Sequence, residues 1–149
     1  MSLGKILSGM QISSSGLRAE RMRMEVMAHN IANAHSTRTP EGGPYKRQQL
    51  TFAAAMNHVG GPDRGLQIGD FSGVQVMGVT ADDSPHPLVY DPGHPDADEQ
   101  GFVQMPNVTL PHEMVDLVTA SRAYEANLKS METFKEMAEQ ALALLQNLR

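Results

Sequence analysis

The sequence predicts a mainly α-helical chain with a small β insertion. Its long N- and C-terminal helices form an antiparallel coiled coil, and the middle segment is rich in Gly, Pro and β-strand. Three observations predict this. Apolar residues recur at alternating spacings of three and four over the last forty residues, and a second, looser heptad series runs through the first thirty. All nine prolines and ten of the thirteen glycines fall between Pro40 and Pro111, which forbids long helices there and suits short strands and turns. The expected segments are a helix over 1–35, a β-rich insertion over 36–110 and a helix over 111–149.

Along the N-terminal helix, Leu3, Met10, Leu17, Met24 and Ile31 recur every seven residues, with Leu7, Ser14, Arg21 and Ala28 between them. Gly9 and Gly16, with Ser13, Ser14 and Ser15, weaken the first half, since each Gly costs up to about 1 kcal/mol relative to Ala. Asn33 and the polar run after it mark the helix end. Asn30 and Asn33 are expected either to cap that end or to hydrogen-bond a neighbouring subunit. Arg18, Arg21 and Arg23 read as a solvated or interhelical face.

The middle offers strands at Tyr45–Ala53, Leu66–Gly69, Gly73–Thr80, Pro87–Tyr90 and Phe102–Met105, too few residues for a core of any size. The stretch with His86, Asp91, His94, Asp96, Asp98 and Glu99 looks chemical. It lacks the ligand spacing of a calcium loop, and Pro92, Gly93 and Pro95 say turn. His29 and His35 have no nucleophile or phosphate-cradling loop beside them. No catalytic, metal or cofactor site is expected.

Thr109, Pro111 and Glu113 announce the last helix. Its seam is Met114, Leu117, Ser121, Tyr124, Leu128, Met131, Lys135, Ala138, Leu142 and Leu145, broken only by Ser121 and Lys135. A rod of roughly 50–60 Å with so narrow a stripe asks for partner helices. Together with Leu17, Met24, Ile31, Asn30 and Asn33, these residues are the expected assembly interface. Lys135 is expected to fix register by finding a carboxylate on a partner helix.

Charge and composition narrow the class further. A net charge of −5 opposes a nucleic-acid binder, and the absence of Cys excludes disulfides and thiolate metal sites. No stretch approaches the ~20 apolar residues that span a bilayer. The first residues lack a sustained apolar core, so a Sec-type signal peptide is not expected.

The block RMRMEVMAHNIANAHSTRTPEGGPYKRQ, with Asn30, Ile31, Ala32, Asn33 and Ala34 at the end of the first helix, resembles flagellar rod, hook and related axial proteins. The stretches YDPGHPDADEQGFVQMPNV and EMVDLVTASRAYEANL are more selective and look like the C-type proximal-rod members of that family. The likeness covers about three-quarters of the chain and is weakest from Phe52 to Asp82. It implies a structural protein without catalysis or cofactor, exported through the flagellar type III apparatus without a cleaved signal. Such a subunit polymerises in the periplasmic rod that carries motor torque. The implied partners are further copies, the B-, F- and G-type rod subunits and the basal rod adaptor FliE, with no nucleic acid or small-molecule substrate. A soluble helical adaptor forming discrete dimers is the competing expectation.

Overall fold

The computed structural model describes residues 3–56 and 71–147. The element order is α1 (Leu3–Ala32), β1 (Gln48–Met56), β2 (Phe71–Ala81), β3 (Leu88–Tyr90), β4 (Phe102–Gln104) and α2 (Leu110–Asn147). β1 pairs with β2, and β3 pairs antiparallel with β4, giving two separate two-stranded sheets. The strand expected at Leu66–Gly69 lies outside the described residues. No described helix is long and apolar enough to cross a membrane.

Helix ends follow local chemistry. α1 stops where Asn33 donates to the His29 carbonyl twice, from its backbone amide at 3.1 Å and from its side-chain amide at 2.9 Å. α2 starts after Thr109, whose carbonyl accepts the Glu113 amide at 3.1 Å.

By compactness the chain divides into two units, on lines different from the element boundaries. The first holds the described residues of 1–22, 52–77 and 120–149, and the second holds 23–51 and 78–119.

In the first unit α1 and α2 meet at glycine. A Cβ on Gly9 would stand 2.6 Å from the Phe134 ring, and one on Gly16 would stand 2.9 Å from the Asn127 amide. Seven residues forward on α1 is seven back on α2, so the pair is antiparallel, as expected. The glycines that lower helix propensity are therefore where the larger side chains of α2 come closest. Ile6, Ser13, Ser15 and Ala19 are buried on α1 and Ala120 on α2. On another side of α1, the Val74 amide of β2 donates to Ser15 Oγ at 3.0 Å, and Ser15 Oγ in turn donates to the Ile12 carbonyl at 2.7 Å. Gly73, at φ +122°, lets β2 approach this closely.

The second unit buries Val26, Met27 and Asn30 from α1, Ala34 from the turn after it, Glu113 from α2 and Val103 from β4. Its apolar core is small, and polar groups occupy the centre.

Candidate functional site: a polar lock and two uncovered stripes

Asn30 and Glu113 form the centre of the second unit, 1 % and 0 % exposed. The Asn30 amide nitrogen donates to Glu113 Oε2 and to the Gln48 carbonyl, both at 2.9 Å. Its carbonyl oxygen accepts from the Gln48 amide and from the Tyr45 hydroxyl, also at 2.9 Å. Two donors and two acceptor positions are all that a carboxamide has. Asn30 thus spends its whole hydrogen-bonding capacity inside the chain and holds none for a neighbouring subunit.

The other Glu113 oxygen accepts from Arg47 Nε at 2.6 Å, and Arg47 Nη1 lies 3.7 Å from Asp82. Burial pulls the Arg47 pKa down, but the hydrogen bond and charge of Glu113, with Asp82 and Asp116 behind, outweigh it and the net shift is upward. Burial, and then the Glu113 charge, raises the Tyr45 phenol above its ordinary value. The Arg47 amide donates to Asn107 Oδ1 at 2.7 Å, and Asn107 donates to the Asp82 carbonyl at 2.9 Å. The hydroxyl and then the amide of Ser84 hold the Asp82 carboxyl below the usual carboxylate range. A cavity of about 200 Å³ beside this network is lined by Arg23, Asn30, Arg47 and Glu113.

The sequence marked Asn30 as a helix-end residue and Glu113 as a helix-start signal. Nothing in the spacing joins residues 83 apart, and Tyr45 and Arg47 were read only as part of a strand. In the structure β1 begins at Gln48, and the residues just before it carry the lock.

The expected seam is placed differently from the line along which the helices touch. The inward residues Gly9, Gly16, Asn127 and Phe134 of the first unit each directly precede a seam position: Met10, Leu17, Leu128 and Lys135. In the second unit Asn30 and Glu113 likewise precede Ile31 and Met114. One residue is about 100° of helix rotation, so Met10, Leu17, Ile31, Met114, Leu128 and Lys135 are turned away from the line of closest approach, whereas Leu117, Tyr124 and Met131 flank it. Met114 is 58 % and Leu142 52 % exposed, and Leu128 and Lys135 are exposed too. Leu17, Met24, Ile31, Asn33, Leu117, Tyr124, Met131 and Ala138 are half-buried; the Leu145 side chain lies outside what is described. The intramolecular part of the seam expectation is thereby corrected. Small and polar residues allow closer helix approach than Leu and Met, and periodicity weighted by hydrophobicity missed them.

Of the stretch from His86 to Glu99, Leu88–Tyr90 is strand β3 and the part from Asp91 onward folds as turns. Asp98 Oδ1 accepts the Gln100 and Phe102 amides at 2.9 and 2.8 Å, and Asp91 Oδ1 accepts the Gly93 amide at 3.2 Å. His94 Nδ1 accepts the Asp96 amide at 3.1 Å, while Asp96 accepts from Thr37 at 2.8 Å.

Comparison with known proteins identifies the family. The family described as flagellar basal body rod FlgEFG protein C-terminal matches residues 99–144. The chain is 45 % identical to the flagellar basal-body rod protein FlgC of Borreliella burgdorferi, over 95 % of this chain and 98 % of that protein. It is 39 % identical to FlgC of Bacillus subtilis, covering 91 % and 95 % of the two chains. It is also 39 % identical to FlgC of Salmonella typhimurium, covering 93 % and 97 %. Identity of this extent over nearly the whole chain places it in a family of structural rod proteins rather than enzymes, and the chain belongs to the FlgC family of flagellar basal-body rod proteins.

Proposed function

We propose that this chain is a structural subunit of the proximal rod. It polymerises with further copies and with the B-, F- and G-type subunits into a helical shaft that carries motor torque across the periplasm. The basal rod adaptor FliE is a further partner, and export is by the flagellar type III apparatus. One observation carries the reading: the apolar stripes lie one residue beyond the contact line on both helices. In an antiparallel pair, stepping one residue forward along each helix turns both side chains to the same side of the pair. In the first unit Met10, Leu17, Leu128 and Leu142 therefore share one face, and Ser15, one residue behind the contact line, turns towards β2 on the other. An apolar face of this kind suits coiled-coil seams with neighbouring helices. Each Leu or Met buried there contributes ~1.5–3 kcal/mol, offset by the entropy of ordering the arms. A contact that repeats without closing gives a helical polymer.

The test is Leu128→Ala and Leu142→Ala. Both variants are expected to be secreted normally but to enter isolated basal bodies several-fold less than the parent. Normal incorporation and swimming in both variants would overturn the seam at these positions. Sedimentation of the purified chain separates the dimeric adaptor, whose mass stops rising with concentration, from an open polymer.

A further inference from the structure

We infer that the outward face of the β3–β4 hairpin is a docking site for a protein partner presenting a positively charged segment that carries apolar side chains. The hairpin pairs Leu88 with Gln104, Val89 with Val103 and Tyr90 with Phe102. Side chains alternate along a strand, so Val89 and the buried Val103 share one face while Leu88, Tyr90 and Phe102 share the other. That second face is open: Tyr90 is 65 % and Leu88 60 % exposed, and Phe102 is exposed beside them. The Tyr90 and Phe102 rings meet edge to face at 5.3 Å, so each ring holds the other in place before anything binds. Pre-set aromatic side chains are the residues that most often anchor protein interfaces.

Charge identifies the occupant. From Gly78 to Gln104 the chain carries six acidic residues and no Lys or Arg. Asp82, Asp83 and Asp96 are matched by Arg47, Lys46 and Arg38. Asp91, Asp98 and Glu99 form no ion pair among the described residues; Asp91 and Asp98 border the aromatic pair, and Glu99 follows Asp98 in the same turn. Asp98 Oδ1 accepts the Phe102 amide at 2.8 Å, and Asp91, next to Tyr90, donates its amide to the Gly101 carbonyl at 2.9 Å. A cleft of about 330 Å³ adjoins the face and is lined by Thr37, Arg38, Asp96, Asp98, Phe102 and Gln104. An apolar centre with an acidic border is complementary to a cationic segment, whose charges set its approach and register while its apolar side chains cover the rings. The site involves neither helix stripe, so it goes beyond the rod reading.

The test places a photoreactive benzoylphenylalanine at Tyr90 in the full-length protein, in flagellated cells, and maps the cross-linked peptide. The expected adduct is to another protein, at a peptide in which Lys and Arg outnumber Asp and Glu. The triple variant Asp91→Asn, Asp98→Asn, Glu99→Gln keeps the turn acceptors and removes the three charges. It is expected to retain the parent's circular dichroism and melting temperature and to lower the adduct yield about tenfold. No adduct in basal bodies that contain the protein, an adduct to a neutral or acidic peptide or to another copy of this chain, or an unchanged yield in the triple variant would overturn the site. Absence of the protein from basal bodies would count against the rod reading instead, and the adduct in whole cells then decides the docking site by the same criteria.

Discussion

A buried carboxamide with every hydrogen bond made is costly to disturb, because each group left behind is stranded in a low-dielectric interior. Asn30→Ala leaves Glu113, Tyr45 and the Gln48 backbone each short of a partner. The expected loss is about 3–5 kcal/mol, read as a fall in the urea midpoint. Glu113→Gln keeps the shape but replaces one of two accepting oxygens by an NH2 that cannot accept from Asn30 or Arg47, and should also lower the urea midpoint. A double-mutant cycle between the two positions should show strong coupling; additive effects would mean that the contact is incidental. Two titrations follow from the same network. The raised Tyr45 pKa means that its contribution to stability is complete below pH ~10 and is lost as pH rises through the folded-state value. Tyr45→Phe should flatten the alkaline limb of the stability profile and remove the last step of phenolate absorbance at 295 nm. The lowered Asp82 pKa has the opposite sense: its contribution is present above pH ~4 and is lost as pH falls through the folded-state value. Asp82→Asn should flatten the acid limb, and an unchanged acid limb would show that Asp82 is not coupled to folding.

Element scale is where the sequence was most informative and also where it misled. Pro confined to the stretch from Pro40 to Pro111, and Gly concentrated there, were enough to place both helices, because an interior Pro costs a helix more than favourable propensity restores. Thr109 and Asn33 set helix ends close to where they were expected. The side of each helix that faces inward was not legible. A hydrophobic stripe marks a surface that needs cover and is silent on whether the cover comes from the same chain. Gly9 and Gly16 counted as weaknesses under propensity alone, yet they lie against Phe134 and Asn127. Gly73 was legible only as a strand residue. At φ +122°, with Ser15 Oγ and the Ile12 backbone beside its Cα, it tolerates no side chain. Gly73→Ala should cost about 1–3 kcal/mol and loosen β2 from α1. Faster amide hydrogen exchange at Val74, whose N–H bonds Ser15, is the readout; unchanged protection there would place the strain elsewhere.

For the whole molecule, the polar lock fixes the fold within one chain, and in the proposed assembly the exposed parts of the stripes are what is left for neighbours. Lys135 interrupts the stripe, and its nearest carboxylate is Glu139, 3.8 Å away one turn along on the same helix. An exposed pair of this kind contributes about 0.3–0.5 kcal/mol, so its removal leaves the monomer nearly unchanged. Lys135→Leu should therefore preserve helix content while relaxing the choice of neighbour, seen as off-register or promiscuous self-association in sedimentation; unchanged specificity would remove Lys135 from the interface. The relation between residues 30 and 113 could not be read from the sequence. It depends on how a β-rich insertion returns the chain to its starting helix, and no local pattern encodes that return.

The distance in sequence between the two halves of the lock also sets a timetable. Residues 83 positions apart must find each other across the whole middle of the polypeptide, and loop closure of that length is among the slower and entropically dearer events in folding a small protein. A ribosome making the chain from its first residue has delivered three-quarters of it before Glu113 exists. Until then Asn30 lacks the Glu113 carboxylate that takes one of its two side-chain donors in the fold, and the lock can close only with the last quarter of the chain.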